Sequence, residues 1–148
     1  MDLISQLSKV ELFDGLTEDE LSQVASICRE RVFHPGEVIT QQGESGDELF
    51  VVTEGLVEVL LGGPQAERKP RAVVNLGQGQ IIGEMALVDH GPRSATVRAL
   101  TDPTLVQAVS IEDFEGLFED NHHLGFIIMR NMASDLSFKL RHQHLAGR

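Results

Sequence analysis

Two short runs of residues, 82–87 and 92–97, bring a glycine, a carboxylate and an arginine close together in the chain. Gly83 allows the backbone to approach a ligand closely. The apolar residues 85–87 can form one helical turn, whose first N–H groups have no partner in the chain and attract an anion. Arg93 adds a planar, permanently charged fork that suits phosphate oxygens. The spacing therefore predicts a phosphate-binding segment.

Glu84 is the unusual member of this segment, because a carboxylate repels phosphate. We expect it to accept hydrogen bonds from a sugar hydroxyl while it balances the charge of Arg93. Phosphate and a ribose hydroxyl together indicate a nucleotide. Two alternatives stay open at this point: Glu84 is an ordinary exposed surface residue, or Arg93 and Glu84 form a purely structural ion pair.

The two runs read IGEMAL and PRSATV, and they resemble the phosphate-binding cassette of cyclic nucleotide-binding domains. This family occurs in bacterial catabolite activators, in regulatory subunits of cAMP-dependent protein kinase and in cyclic-nucleotide-gated channels. The match is ordered and gapless, and residues 12–13, 33–39, 43–50 and 54–59 also have counterparts in the family. The resemblance implies a mainly β fold, a β-jelly roll with flanking α-helices, and a cyclic nucleotide as its ligand.

The same resemblance assigns roles to the residues of the cassette. Arg93 is implied to bind the phosphate and Glu84 the ribose 2′-hydroxyl, with Gly83 contributing backbone. The phosphate would also receive backbone N–H groups from Met85, Ala86 and Ser94.

Base recognition depends on fewer positions. Family members that favour cGMP often have threonine where this chain has Ser94, so serine favours cAMP, with cGMP as the alternative. Val59 and Val73 align with the apolar floor under the purine, although core packing explains a single valine in a β-roll equally well. The candidate ligand-binding residues are therefore Ile82, Gly83, Glu84, Met85, Ala86, Arg93, Ser94, Val59 and Val73.

Composition limits the classes of partner. A chain of 148 residues is long enough for one domain with a sizeable core. Its net charge of −11 argues against a DNA-binding surface but allows a locally positive pocket. No apolar run is long enough to span a membrane, and the amino terminus lacks the basic segment and apolar core of a signal peptide. We therefore expect a cytoplasmic protein with no nucleic-acid or membrane partner.

The chain reads as one domain, 1–148, in three parts. Helices are expected in 1–30, a β-roll that contains the cassette 82–97 in 31–110, and helices again in 111–148. In the first part, a capping box at Thr17–Glu20 predicts a helix to about Glu30. Its inward face would include Cys28, which as the only cysteine excludes an internal disulfide. Strands are expected at 49–53, 56–61, 72–76, 95–100 and 104–109.

Two further features concern the ends of the β-roll. Residues 62–71 are polar and rich in glycine and proline, which predicts a mobile hairpin tip with a solvated cluster of Arg68, Lys69 and Arg71. Ser110 is expected to cap a helix that ends near Phe118.

A last helix is expected from Leu124 to about His144, with an apolar stripe that recurs every four residues. This stripe either packs on the β-roll or forms a helix-to-helix dimer seam, and both readings stay open. The stripe consists of Ile128, Met132, Leu136 and Leu140.

The favoured function is a stand-alone sensor whose last helix reports ligand binding to an unidentified partner protein, since no helix-turn-helix follows that helix. The chain could equally be a piece of a longer protein. The alternatives are an interaction module of the same fold without a ligand, and a cupin-like enzyme. We expect no enzyme, metal or cofactor, because His142 and His144 diverge on a helix and no Gly-x-Ser-x-Gly elbow is present.

Overall fold

The computed structural model describes residues 2–62 and 71–146, without the side chains of Val73 and residues 143–146. Within these residues the strands are β1 Cys28–Phe33, β2 Val38–Thr40, β3 Glu48–Glu54, β4 Val57–Leu61, β5 Arg71–Leu76, β6 Ile81–Ile82, β7 Thr96–Ala99 and β8 Thr104–Ser110. They form two four-stranded antiparallel sheets, with the orders β1-β8-β3-β6 and β2-β7-β4-β5. The expected jelly-roll architecture is therefore confirmed.

The core of the β-roll lies between the inner faces of the two sheets. Strand β3 is buried along most of its length because β8 and β6 pair with it on either side. Alternate residues of each strand point inward, which brings side chains of both sheets into one apolar cluster. This cluster contains Phe33, Phe50, Val52, Val57, Ile82, Val97, Ala99, Val106 and Ala108.

The helices are α1 Leu3–Leu7, α2 Glu18–Ser26, α3 Ala86–Asp89, α4 Ile111–Asp120 and α5 His122–Ala146, with a 3-10 turn at Glu11–Phe13. The chain divides into two compact units, 27–115 and the two ends 1–26 with 116–148. In the terminal unit, Asn131 on α5 donates hydrogen bonds of 2.8 Å to the carbonyls of Leu12 and Asp14. Within the described residues, no helix combines the length and the apolar composition needed to cross a membrane.

The capping box of α2 is confirmed. The N–H of Glu20 donates to Thr17 Oγ1 at 3.1 Å, and the N–H of Thr17 donates to Glu20 Oε1 at 3.0 Å. The predicted end of this helix was wrong, because α2 stops at Ser26 and Cys28 begins β1. Cys28 does not lie on a helix but pairs with Val109 of β8 in the sheet. Burial raises the pKa of the Cys28 thiol to about 11.

The remaining predicted elements agree closely with the structure. Ser110 Oγ accepts a hydrogen bond of 3.2 Å from the N–H of Asp113, which is the expected cap of α4. The stripe of α5 is buried at Ile128 and Met132 but 65% exposed at Leu140. The hairpin tip predicted at 62–71 falls mostly on 63–70, which lie outside the described residues.

Candidate functional site

The cassette connects the edge strand β6 of one sheet to β7 of the other. Ile82 pairs with Phe50 of β3, and the chain then turns sharply at Gly83, whose φ is 81°. A residue with a side chain rarely adopts this conformation, which accounts for glycine at the position. The single turn α3 follows, and its C-cap His90 is also in the left-handed region, with φ 54°.

Free backbone donors line this turn. Its first hydrogen bonds span three residues, such as Leu87 N–H to Glu84 O at 3.1 Å, and its last ones span four, such as His90 N–H to Ala86 O at 3.3 Å. The N–H of Ala86 reaches Gly83 O at 3.3 Å and is therefore occupied by a long bond. Within the described residues, no hydrogen bond uses the N–H groups of Glu84, Met85, Ser94 and Ala95. These groups are donors available to an anion.

Arg93 is anchored on a neighbouring segment of backbone. Its Nη2 donates to the carbonyl of Glu48 at 2.6 Å, and its Cζ lies 5.9 Å from the centroid of the Phe50 ring. Its own backbone is held by the loop before β3, since Arg93 N–H donates to Glu44 O at 2.8 Å. The guanidinium is thus fixed at the start of β3.

Two glycines border the guanidinium. A Cβ on Gly46 would lie 2.6 Å from Arg93 Cζ, and a Cβ on Gly83 would overlap Arg93 Nη1. Neither position can carry a side chain unless Arg93 moves. The same contacts bring Arg93 next to the turn that carries the free N–H groups of Glu84 and Met85.

The charge of Arg93 is only partly compensated. Burial lowers the pKa of Arg93 from its ordinary value, and the negative charges of Asp47 and Glu48 offset part of that effect. In the part of the chain that the structure describes, arginine ion pairs involve Arg29, Arg31 and Arg98 but not Arg93. A half-buried guanidinium without an ion pair favours the approach of an anion.

Glu84 lies beside Arg93 in sequence but not in an ion pair. Within residues 2–62 and 71–146, its carboxylate forms no hydrogen bond and no ion pair. The structural ion pair between Arg93 and Glu84 is therefore not found, and Asp47 and Glu48 provide the nearby negative charge instead. Glu84 is partly buried and keeps both oxygens as acceptors.

The apolar candidates differ in how deeply they are buried. Ile82 is 4% exposed and belongs to the core, and Val59 is half-buried against the same cluster. The side chain of Val73 lies outside the described residues. The register pairs Val59 with Val74, and a bulge follows between Val59 and Leu60. Directly opposed residues share a face, so Val74, which is 48% exposed, lies beside Val59.

The other cassette candidates differ in exposure. Met85 is 48% exposed and Ser94 is exposed. Ala86 is buried and its N–H is bonded to Gly83 O, so the structure leaves no free N–H on Ala86 for the phosphate contact that the sequence predicted. His90 is exposed as expected, and its Nε2 lies 3.2 Å from Glu115 Oε2. The described residues contain no group of three or more His, Cys, Asp or Glu side chains placed to hold a metal ion.

The sequence did not indicate several neighbours of Arg93, namely Gly46, Asp47, Glu48 and Phe50. The signal for these residues was the run 43–50. Its resemblance to the family was evident from the sequence, but its contact with the cassette was not. Val74 was missed because a bulge cannot be located from alternation alone.

Comparison with known proteins gives matches over most of the chain. Residues 30–121 match the family model described as the cyclic nucleotide-binding domain. The cGMP-dependent protein kinase egl-4 of Caenorhabditis briggsae is 35% identical over 118 residues, which are 80% of this chain and 16% of the kinase. The cyclic AMP receptor protein of Thermus thermophilus is 33% identical over 137 residues, which are 90% of this chain and 59% of the receptor.

A solved structure gives the same result at the level of the fold. The regulatory domain of Toxoplasma gondii PKA, co-crystallised with cAMP, superposes with a TM-score of 0.77 at 28% identity. The superposition covers 91% of this chain and 48% of that chain. The chain spans less than two thirds of each of these three proteins.

Proposed function

The chain belongs to the cyclic nucleotide-binding domain family, and from this premise we propose that residues 82–97 bind the cyclic phosphate and ribose of cAMP. The proposal depends on the surroundings of the Arg93 guanidinium. Its guanidinium is fixed between Gly46 and Gly83, has no ion pair among the described residues and adjoins a turn with free N–H groups. This arrangement provides a planar fork and backbone donors for one phosphate.

In the proposed complex, each cassette residue has a separate task. Arg93 binds the phosphate oxygens together with N–H groups of Met85 and Ser94, while Gly83 keeps the backbone close. Glu84 accepts a hydrogen bond from the ribose 2′-hydroxyl, which its free carboxylate oxygens allow. A ribose without this hydroxyl would leave the carboxylate without a partner.

The purine would rest on the inner face of β4 and β5. Val59 and Val73 were the expected floor, and the register adds Val74 as the neighbour of Val59. Ser94 favours cAMP over cGMP, although the relatives include both a cGMP-dependent kinase and a cyclic AMP receptor. The proposed preference for cAMP over cGMP therefore rests on Ser94.

We further propose that the chain is a regulatory module rather than an enzyme, and that α5 reports ligand binding to a partner protein or to a second copy of the chain. Helix α4 supports this path, because it begins in the β-roll unit and ends in the terminal unit. A single domain over 1–148 and a cytoplasmic location are further expectations that rest on the sequence alone.

Calorimetric titration of the full chain with cAMP and, separately, with cGMP tests this function. We expect a single site that binds cAMP more tightly than cGMP. Tighter binding of cGMP would overturn the base assignment while leaving the cassette in place. No binding of either nucleotide would overturn the function and favour a ligand-independent interaction module.

A further inference from the structure

Glu48 is shared by three arginines. Its carboxylate oxygens lie 3.7 Å from Arg29 Nη2 and 3.4 Å from Arg31 Nη1, while its backbone carbonyl accepts the hydrogen bond from Arg93 Nη2. Neither Arg29 nor Arg31 belongs to the cassette, and the function proposed above gives them no role.

The register shows that Arg29 and Arg31 lie on the inner side of the edge strand β1. Arg29 pairs with Ala108 and Arg31 with Val106, and both partners are buried in the core of the β-roll. Directly opposed residues share a face of the sheet. Their side chains nevertheless reach solvent, with 71% of Arg29 and 47% of Arg31 exposed, and the carboxylate that both contact is that of Glu48.

Arg31 and Arg93 also share one aromatic ring. Arg31 Cζ lies 5.7 Å from the centroid of Phe50, and Arg93 Cζ lies 5.9 Å from it. The ring itself is buried. The two guanidinium groups are therefore neighbours around Phe50, with Glu48 connected to both.

The Glu48 carboxylate has a second position within reach. Its own backbone carbonyl is 2.6 Å from Arg93 Nη2, so a rotation of the side chain would place a carboxylate beside that guanidinium. Such an ion pair would occupy the donors that a phosphate requires. In the observed rotamer, Arg29 and Arg31 hold the carboxylate instead.

We propose that Arg29 and Arg31 are positioning residues that keep the Glu48 carboxylate away from Arg93 and thereby leave Arg93 open to the phosphate. This inference rests on the proposed function. Without the two arginines, Glu48 turns to Arg93 and competes with the ligand. Glu48 is then an intramolecular competitor, and its removal restores binding.

Four forms of the 148-residue chain test the competition: the parent, R29Q/R31Q, E48Q and the triple variant. In calorimetry with cAMP, we expect R29Q/R31Q to bind about threefold or more weakly, as charge changes around a site alter affinity and its salt dependence. The loss should vanish in the triple variant, because the Glu48 carboxylate is no longer there to turn to Arg93. Arg98→Gln is the matched control, since Arg98 pairs with Glu58 on the other sheet.

A second measurement needs no nucleotide. The guanidinium protons of Arg93, followed by NMR, should exchange more slowly with water in R29Q/R31Q than in the parent, and not in the triple variant. Equal cAMP losses with and without Glu48, or unchanged Arg93 exchange in all four proteins, would overturn the inference. If the parent bound no cyclic nucleotide but Arg93 exchange changed as expected, the proposed function would fail while the Glu48 rotation stood.

Discussion

At the scale of single residues, Arg93 depends on neighbours that lack side chains. Gly46 is 47 positions before Arg93 in the chain, yet a Cβ there would lie 2.6 Å from Arg93 Cζ. Arg93 itself was predictable from the residue types around it. The space that the glycines leave for its guanidinium was not predictable, because the folding of the loop 43–47 onto the cassette has no local signal.

Gly46→Ala should displace the guanidinium without unfolding the chain. The φ of Gly46 is not in the left-handed region, so alanine is sterically allowed there except for the contact with Arg93. We expect cAMP affinity to fall by about tenfold, equivalent to about 1.4 kcal/mol. Gly116→Ala in α4, where a Cβ meets nothing within 4 Å, is the control and should leave affinity unchanged. Equal cAMP affinities of the Gly46 variant and the parent would contradict the inference that Gly46 leaves the space that the Arg93 guanidinium needs.

Glu84 should discriminate between sugars. A hydrogen bond to a charged group contributes about 1.5–3 kcal/mol, so 2′-deoxy-cAMP should bind the parent roughly tenfold or more weakly than cAMP. Glu84→Ala should show little further penalty for the deoxy sugar, because the interaction has already been removed. Glu84→Gln should keep partial binding. Equal deoxy penalties in the parent and in Glu84→Ala would mean that the carboxylate does not contact the 2′-hydroxyl.

At the scale of elements, the cap of α2 also holds the beginning of α5. Glu20 Oε2 lies 2.8 Å from His123 Nδ1 and accepts a hydrogen bond of 3.1 Å from Asn121 Nδ2. Burial by itself would raise the pKa of Glu20. The hydrogen bonds from Thr17, His123 and Asn121 outweigh it and lower that pKa below its ordinary value of 4.5.

This depressed pKa predicts a pH-dependent contribution to stability. The contribution is present above the unfolded-state pKa and is lost as the pH falls through the lower folded-state pKa. Glu20→Gln should therefore reduce the free energy of unfolding by about 1–2 kcal/mol at pH 7. The difference from the parent should shrink below about pH 4. Urea unfolding at both pH values measures this, with the exposed Glu30→Gln as control, and a difference independent of pH would refute it.

The elements themselves were largely predictable, and the exceptions have physical causes. The capping box, the five strands between 49 and 109 and the cap at Ser110 follow from local chemistry, and they are confirmed. Strand β1 was partly misread as helix, because Leu21, Val24 and Cys28 continue a helical period past Ser26. Its alternation of arginine and glutamate conceals a core-facing side that only the pairing with β8 reveals.

At the scale of the whole molecule, an acidic chain of net charge −11 holds the guanidinium of Arg93 partly buried and without an ion pair among the described residues. The proposed ligand is an anion, and a local positive field is what such a ligand requires. Net charge counted over the whole chain could not locate this site, and the expectation that DNA is not a partner stays a prediction.

If the chain is a sensor, ligand binding should also change the dynamics or the position of α5. A ligand shifts an equilibrium only through different affinities for its two states. We expect saturating cAMP to change amide hydrogen exchange in 124–136 or in the segment after it, as well as in 83–96. Leu140→Glu, at an exposed end of the stripe, should weaken any self-association without unfolding. Changes confined to 83–96 would make the protein a passive binder.

The most direct measurement compares cAMP affinity between the parent and Arg93→Ala by calorimetry. Removal of one side of a charged, hydrogen-bonded pair costs about 2–5 kcal/mol, so we expect a loss of roughly 30-fold or more. The control Arg98→Ala removes an arginine of β7 that pairs with Glu58, and this variant should bind cAMP as tightly as the parent. An Arg93→Ala protein that folds normally and binds cAMP as tightly as the parent would contradict the assignment of residues 82–97 as the phosphate site.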